Sequence, residues 1–283
     1  MHEFEYIVMT PPPRRGSAGI RFLNELTDDI RTTGRKAHRL YSITTTLGLA
    51  ASLDGETFYK CEPDLLRHLT GNPKKLIVIH GENQDCQYFM GLNVARYYLN
   101  RIGALRKVGI PRDGEFKITW DTAFCDAPDF TLRTCMLRYP PQKAASLEPK
   151  ERDIDLTYVG KAKLKLPNAA RLPDTFELRR DWPNNDDEYF YLLKRTRYLY
   201  TYDTVTSVVD DAITFGAIPV SVAERLEDPA YVGCAAHIDD DLNTFKQGFA
   251  AARLQYLESQ VRIAARYKAD LEQCCLAMEK FFG

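Results

Sequence analysis

Apolar runs alternate with amphipathic stretches along the chain and predict strands and helices in turn. A strand is expected at "FEYIVMT", followed by a loop rich in proline and glycine, "PPPRRGSAG". Ile20, Leu23 and Ile30 then recur at helical spacing, and Gly34 ends the pattern. The chain therefore opens with a strand, a loop and a helix.

The next segments extend the alternation. "KAHRLYSI" is expected to be a strand, and the continuous apolar run "KKLIVIHG" is typical of a parallel strand buried on both faces. "MGLNVARYYLNRIG" is predicted to be a helix ending near Gly103, before strands at "EFKITWD" and "TLRTCML". This order indicates an α/β sheet.

A polar stretch with several prolines, Pro140 to Asp153, is predicted to link two domains. The expected domains are 1–145, 146–238 and a C-terminal helical segment, 239–283. The second domain repeats the strand and helix alternation, and its helix from Asp186 has acids in the first turn and bases in the last. The apolar stripe Leu271, Cys275, Met278 and Phe282 is expected to pack back onto the body of the protein, rather than onto a membrane or partner.

Composition narrows the class of protein. With 283 residues, 45% hydrophobic, the chain can bury a large core. Its 38 basic and 39 acidic residues leave a net charge of -1, which gives no overall attraction to nucleic acid. We expect a cytoplasmic protein, because no signal peptide and no run of roughly 20 apolar residues is evident. The seven cysteines form no C-x-x-C pair and the five histidines no close pair, so no metal site is expected.

The stretch "YLYTYDTVTSVVDDAITFGAIPV" carries the most specific chemistry. It predicts a strand feeding a helix, whose first backbone N–H groups form a ready anion site above the sheet. Asp203 is expected to be the N-cap, and Thr206 and Ser207 to supplement the backbone donors to a phosphate.

Two adjacent aspartates follow in that helix. Asp211 lies four residues after Ser207, one turn or about 5.4 Å along the same side, where a carboxylate would accept both hydroxyls of a ribose. Asp210 is expected to face solvent. The alternative is that both aspartates occupy the solvated side of an amphipathic helix.

With these residues the chain resembles the GT-B glycosyltransferases, and more closely those of bacterial surface polysaccharides. "YDTVTSVVDDAITFGAIPV" is similar to the family's Y-D, T-x-x-x-x-E-A and C-G-x-P-V, with Asp211 in place of Glu and Phe215 in place of Cys. "YVGKA" resembles Y-x-G-K-G, and "LRRDWP" resembles I-T-R-x-x-P. "IHGENQDCQYFMGLNVARYYLNRIG" resembles Y-P-E followed by N-V-V-R-W-L-L-N-x-P-G, with His80 and Gly81 departing from it.

The resemblance implies two Rossmann-like domains that face across a cleft and a nucleotide-sugar donor bound by the second. Lys161 and Arg180, each just past a strand, would clamp the donor diphosphate, so no metal or other cofactor is needed. Gly16 and Gly19 are expected to let the backbone approach a bound sugar, or simply to form a tight loop.

Glu82 matches the family's acidic residue and is the first candidate for the general base or for holding the acceptor. His80 is a second candidate and His38 a weaker one. Arg96, expected on the helix after Glu82, would either meet an anionic group or hold that helix by a salt bridge.

The predicted function is metal-independent transfer of a sugar from a nucleotide sugar to a glycan or glycolipid hydroxyl, in surface polysaccharide synthesis. The expected partners are that donor and acceptor, without nucleic acid, and the C-terminal helices are candidates for contact with the inner face of the membrane or a biosynthetic partner. Two alternatives stay open, a nucleotide-sugar epimerase of the same fold and a non-catalytic subunit that binds a partner.

Overall fold

The computed structural model describes residues 3–13, 17–45, 48–53, 57–60, 72–83, 91–100, 112–135, 137–145, 151–164, 166, 168–226 and 229–283. The chain divides into two compact units. Unit 1 comprises residues 1–134 with 265–283, and unit 2 comprises residues 135–264. Each unit has its own largely parallel sheet, so the predicted α/β class with two sheets is confirmed.

The sheet of unit 1 has the strand order β4-β3-β2-β1-β5-β6-β7-β8. Its strands are β1 (Glu5–Thr10), β2 (Lys36–Thr45), β3 (Gly48–Leu53), β4 (Thr57–Lys60), β5 (Leu76–Gly81), β6 (Asn93–Tyr98), β7 (Phe116–Thr119) and β8 (Phe130–Thr131). From β2 to β8 neighbouring strands are parallel, whereas β2, β3 and β4 are antiparallel. The central strand β5 is buried along its whole length, as its continuous apolar sequence predicts.

Helix α1 (Ala18–Thr32) follows β1 and covers β1 and β2. Ser17 is its N-cap, and the Ser17 side chain accepts a hydrogen bond from the N–H of Ile20. The apolar positions predicted from helical spacing, among them Leu23 and Ile30, are buried. Gly34 follows the helix with φ of 82°, a left-handed conformation that favours glycine.

The predicted helix at "MGLNVARYYLNRIG" is wrong, because residues Asn93–Tyr98 form β6 between β5 and β7. Val94, Ala95, Tyr97 and Tyr98 alternate between the two faces of the sheet, and all are buried. The strand predicted at "TLRTCML" is also wrong over most of its length, since β8 overlaps it only at Thr131. A strand buried on both faces lacks the period of two that marks a half-buried strand, and short apolar runs of this kind are easily taken for helices.

The sheet of unit 2 is parallel throughout, with the order β10-β9-β11-β12-β13. Its strands are β9 (Ile154–Tyr158), β10 (Phe176–Leu178), β11 (Thr196–Thr201), β12 (Ile218–Ser221) and β13 (Ala236–His237). The helices are α2 (Pro141–Ala145), α3 (Asp186–Arg195) and α4 (Ser207–Phe215), followed by α5 (Leu242–Phe282). Asn185 is the N-cap of α3. The acidic residues predicted in its first turn and the basic residues predicted in its last turn lie at those positions.

Helix α5 is a single helix of 41 residues, which begins in unit 2 and ends in unit 1. In unit 1 its side chains Leu271, Cys275 and Met278 are buried, while Phe282 is half-buried. The Tyr6 hydroxyl donates to the Glu279 carboxylate over 2.9 Å, and Arg35 Nε lies 2.7 Å from the same group. The end of α5 is thus fixed to the core of unit 1 by polar as well as apolar contacts.

The division into units differs from the predicted domain ranges in two places. Unit 2 begins at Cys135 rather than at residue 146, and residues 239–264 belong to unit 2 rather than to a separate helical segment. Of the predicted linker, Pro141–Ala145 form α2, and residues 146–150 lie outside the described residues.

Candidate functional site

The carboxyl ends of β9, β10 and β11 lie at one edge of the parallel sheet of unit 2, and the loops that follow them carry most of the predicted donor-site residues. Lys161 follows β9, Arg180 follows β10, and Asp203 follows β11. The N-terminus of α4 is at the same edge, because α4 is the crossover from β11 to its parallel neighbour β12. Parallel α/β sheets bind their ligands outside this edge.

Asp203 ties two of these loops together. One carboxylate oxygen accepts from the backbone N–H of Lys161 at 3.1 Å, and the other accepts from the N–H of Val205 at 3.2 Å. The N-cap assignment for Asp203 is therefore wrong. Thr206 is the N-cap of α4, with its side chain accepting from the N–H of Val208, and Ser207 is the first residue of the helix. Both are half-buried.

Gly160 lets the loop after β9 pass close to this junction. Its φ is +56°, and a β-carbon there would lie 2.5 Å from Cε1 of Tyr158 and 2.8 Å from a carboxylate oxygen of Asp203. Both distances are shorter than β-carbons show in proteins, so a larger residue would displace the buried side chains of Tyr158 or Asp203. The prediction from "YVGKA" identified this loop, and the structure gives the steric reason for its glycine.

Lys161 and Arg180 differ in their surroundings. The Lys161 ammonium donates to the carbonyl oxygen of Val205 at 2.6 Å and lies 4.0 Å from Asp203, so it also braces the loop before α4. Arg180 is exposed to solvent. Lys161 was expected to clamp the donor diphosphate together with Arg180, which stays a prediction, and in the structure its ammonium contacts the loop before α4.

Several charged groups around this edge act on the pKa of the hydroxyl of Tyr158, the last residue of β9. Burial raises the pKa of its hydroxyl, and the Asp203 carboxylate adds to the rise. A hydrogen bond with the Thr206 side chain and the positive charges of Arg180 and Arg138 lower the same pKa. Two arginines therefore lie within electrostatic range of the hydroxyl that contacts the N-cap of α4.

Asp211 is almost completely buried, with 1% of its surface exposed. One carboxylate oxygen accepts from the Tyr189 hydroxyl at 2.9 Å and lies 3.5 Å from Nε of Arg138. Its role as a ribose ligand stays a prediction, but its contacts in the structure are with protein groups.

Asp210 was predicted to face solvent, but it is half-buried and contacts two tyrosines. Its carboxylate accepts from the hydroxyl of Tyr231 at 2.9 Å and from that of Tyr256 at 2.6 Å. Tyr256 belongs to α5, so Asp210 holds α4 against the long helix within unit 2. The alternative that both aspartates occupy a solvated face is also wrong.

Arg138 was not predicted from the sequence. Its side chain is 8% exposed and lies 3.6 Å from Asp186 and 5.0 Å above the ring of Tyr189, in addition to its contact with Asp211. Arg138 lies two residues before Pro140, just outside the stretch Pro140 to Asp153 that was predicted to be a linker. It directly follows the predicted strand "TLRTCML", and no spacing in the sequence marked it as a site residue.

In unit 1 the carboxyl edge of the sheet carries Glu82, directly after β5. The carboxylate oxygens of Glu82 accept from the N–H of Leu99 at 3.1 Å and from the side-chain amide of Asn83 at 2.8 Å. Gly19, in the first turn of α1, also lies near Leu99. A β-carbon placed on Gly19 would be 3.5 Å from Cδ1 of Leu99. Gly16 lies outside the described residues.

The histidine candidates and Arg96 have defined partners. His80 is fully buried in β5, with its Nδ1 2.9 Å from the carbonyl oxygen of Gly81, and His38 contacts Glu5 at 2.6 Å on the sheet. Arg96 lies on β6 rather than on a helix, and it forms a buried salt bridge with Glu115. Burial does not separate the two candidates for the base, because Glu82 is also buried, with 5% of its surface exposed.

The chain is similar to known proteins in its fold and not in its sequence. No family model matches the sequence, and no curated protein matches it. Among solved structures, MurG of Acinetobacter baumannii aligns over 90% of this chain and 95% of its own, with a TM-score of 0.44 and 8% identity. The spinosyn rhamnosyltransferase SpnG complexed with spinosyn aglycone aligns over 94% and 99%, with a TM-score of 0.45 and 10% identity. These neighbours are GT-B glycosyltransferases. At such identities and scores the likeness assigns no residue, substrate or reaction to this chain.

Among the residues that the structure describes, no group of three or more His, Cys, Asp or Glu side chains is arranged to hold a metal ion. No described helix is both long enough and apolar enough to cross a bilayer.

The edge of the unit 2 sheet thus combines three elements that suit an anionic ligand. These are the N-terminus of α4, with the positive end of its dipole, a loop whose glycine brings backbone close to that terminus, and the positive charges of Arg138 and Arg180. The edge of the unit 1 sheet offers a carboxylate, Glu82, in a fixed position.

Proposed function

We propose that the chain is a glycosyltransferase that moves a sugar from a nucleotide sugar to a hydroxyl of a glycan or glycolipid. The observation that carries the proposal is the junction at Asp203, which holds the loop after β9 and the loop before α4 together at the carboxyl edge of the unit 2 sheet. The resemblance of "YVGKA", "LRRDWP" and "YDTVTSVVDDAITFGAIPV" to the family motifs supports the same assignment.

On this proposal the donor diphosphate lies at the N-terminus of α4. The positive end of the α4 dipole attracts the phosphate, the hydroxyls of Thr206 and Ser207 donate to phosphate oxygens, and Arg180 adds a positive charge. Lys161 contributes by holding the loop at Val205. Stabilising the leaving diphosphate in this way lowers the barrier to breaking the bond between the anomeric carbon and the phosphate oxygen.

The reaction forms a bond between the acceptor oxygen and the anomeric carbon while the nucleoside diphosphate leaves with the electron pair of the broken bond. The acceptor proton passes to a protein base or to the leaving phosphate. We assign Glu82 as the candidate base of unit 1. Because cations neutralise the leaving group, the rate is expected to be unchanged in the presence of a chelator.

Calorimetric titration with nucleoside diphosphates and their sugars tests the proposal directly. Arg180→Ala should weaken binding of the tightest ligand roughly tenfold or more, the effect of a charge-assisted hydrogen bond. Arg179→Ala is the matched control, since Arg179 is also exposed and lies 3.6 Å from Asp181. If no nucleoside diphosphate or nucleotide sugar binds, the proposal is wrong.

Activity separates the proposal from the two alternatives. Incubating the purified chain with its donor and a glycan or glycolipid acceptor should release nucleoside diphosphate and form a new glycosidic bond. An isomerised sugar nucleotide formed without acceptor would identify an epimerase. Donor binding without any product would favour a non-catalytic subunit. We further propose action in surface polysaccharide synthesis, in the cytoplasm at the inner face of the membrane, on the basis of the motif resemblance.

A further inference from the structure

Arg138 is a buried cation at the edge of the unit 2 sheet where the donor is proposed to bind. Its guanidinium has 8% side-chain exposure and lies over the ring of Tyr189. Removing a charge from water is costly, and the cost is offset only where other groups compensate it. Here the carboxylates of Asp186 and Asp211 and the ring of Tyr189 supply that compensation.

Asp211 and Tyr189 hold this guanidinium in place. The Tyr189 hydroxyl donates to Asp211 at 2.9 Å, and the same carboxylate oxygen lies 3.5 Å from Nε of Arg138. Both Asp211 and Tyr189 are buried, so neither is presented to solvent. The side chain of an aspartate is one methylene shorter than that of the glutamate in the family motif, and the carboxylate of Asp211 contacts Arg138.

Arg138 also shares its electrostatic surroundings with the first turn of α4. Its charge acts on the Tyr158 hydroxyl together with that of Arg180, and that hydroxyl forms a hydrogen bond with Thr206, the N-cap of α4. Asp186, at the start of α3, lies 3.6 Å from Nη1 of Arg138. The guanidinium therefore lies beside Asp186, in the first turn of α3, and beside Asp211, one turn after the start of α4. The N-terminal ends of helices attract anions.

We propose that Arg138 is a further diphosphate-binding residue and that Asp211 is its positioning residue, with Tyr189 fixing the carboxylate. The inference rests on the proposed function, because it assigns a phosphate of the same nucleotide donor to Arg138. A planar guanidinium donates two parallel hydrogen bonds to a phosphate, which a lysine does not, so its orientation matters. The carboxylate of Asp211 orients the guanidinium through its contact with Nε of Arg138.

Binding of inorganic pyrophosphate tests the inference without requiring a base or a sugar. We expect pyrophosphate and the tightest-binding nucleoside diphosphate to bind Arg138→Gln roughly tenfold or more weakly than the wild type in calorimetry. Arg138→Lys, which retains the charge and lacks the fork, should restore only part of the affinity. Arg253→Gln is the control for loss of a buried arginine, since Arg253 donates to the backbone carbonyls of Ile213, Thr214 and Ala144.

Asp211→Asn and Tyr189→Phe separate positioning from ribose binding. Both should weaken pyrophosphate and the nucleoside diphosphate, and both should leave the affinity for the corresponding unphosphorylated nucleoside unchanged. If Asp211→Asn weakens the nucleoside as much as the diphosphate, Asp211 acts on the ribose and the positioning role is wrong. A purely structural role would lower the melting temperature without this dependence on phosphate.

The outcomes also separate this inference from the proposed function. If the wild type binds a nucleoside diphosphate, Arg180→Ala weakens it and Arg138→Gln does not, only the inference is overturned. If the wild type binds neither pyrophosphate nor any nucleoside diphosphate, both fall. If folded Arg138→Gln cannot be obtained, Arg138→Lys decides, because unchanged pyrophosphate affinity in that variant would exclude a role for the guanidinium fork.

Discussion

Arg96 and Glu115 form a two-point ion pair inside unit 1. Arg96 Nε donates to one carboxylate oxygen at 2.8 Å and Nη2 donates to the other at 3.0 Å, and both side chains are buried. The third nitrogen, Nη1, donates to the carbonyl oxygen of Glu82 at 3.2 Å. The pair thus fixes the backbone that carries the candidate base.

Removing one member of this pair should destabilise the chain strongly. Glu115→Gln leaves the Arg96 guanidinium buried without a counter-charge, which should reduce the free energy of unfolding by about 3–5 kcal/mol in urea denaturation. Arg266→Gln breaks an exposed pair with Asp270 on α5 and should cost about 0.5 kcal/mol or less. Equal effects of the two substitutions would contradict the importance of burial. The double variant Arg96→Met with Glu115→Leu should lose less stability than Glu115→Gln alone.

Gly160→Ala should disturb both stability and donor binding. The new methyl group would meet Tyr158 and Asp203 at 2.5 and 2.8 Å, and the positive φ of +56° adds backbone strain. We expect the free energy of unfolding to fall by about 2 kcal/mol or more, with loss of nucleoside diphosphate binding in calorimetry. Gly114→Ala is the control, because Gly114 has φ of +85° and no atom of the described residues within 4 Å of the added carbon. It should lose about 1 kcal/mol and retain binding, and similar behaviour of the two variants would argue against a steric role for Gly160.

Asp210→Ala should weaken the fold and spare the donor site. The substitution removes the acceptor of two tyrosine hydroxyls, Tyr231 and Tyr256, and hydrogen bonds to a charged group are worth about 1.5–3 kcal/mol. Urea denaturation should therefore show a loss of about 3 kcal/mol, while calorimetry shows an unchanged affinity for nucleoside diphosphate. A tenfold loss of affinity in a folded Asp210→Ala protein would return this residue to the donor site.

Asp29→Asn should make the stability of the chain less dependent on pH. Burial raises the pKa of Asp29, and neighbouring Asp28 adds to the rise, although a hydrogen bond from Tyr267 opposes it. A carboxyl group whose pKa is higher in the folded protein stabilises it below the pKa of the unfolded chain, about 3.9, and loses that contribution as pH rises through the folded pKa. The variant should thus be at least as stable as the wild type at pH 7 in urea denaturation. A variant that is less stable at pH 7 would show that the Tyr267 hydrogen bond outweighs the burial of the charge.

The strands and helices that carry a clear period could be predicted from the sequence. The apolar runs at β1 and β5 and the spacing of Leu23 and Ile30 in α1 predicted their elements correctly, because the local order of apolar residues distinguishes these strands from this helix. β6 could not be recognised, since the charge of Arg96 interrupts its apolar run and its partner Glu115 is distant in sequence. A buried charge looks like a surface position until its partner is known.

The candidate site was predicted at its edge and not in its interior. The start of α4 at Thr206 and Ser207 and the loop at Gly160 follow from strand ends and helix starts, which the sequence marks. The partners of Asp203, Asp210 and Asp211 from other segments include a backbone N–H, three tyrosine hydroxyls and an arginine. Such contacts depend on tertiary packing, and no spacing rule along one helix contains them.

The long helix α5 sets the order in which the protein can be completed during synthesis. Residues 1–134 are made before unit 2, yet the core of unit 1 includes Leu271, Cys274 and Met278, which are made after unit 2. Domains generally fold as units in the order in which they leave the ribosome. Here unit 1 is complete only once residues 265–283 have been translated, after the whole of unit 2.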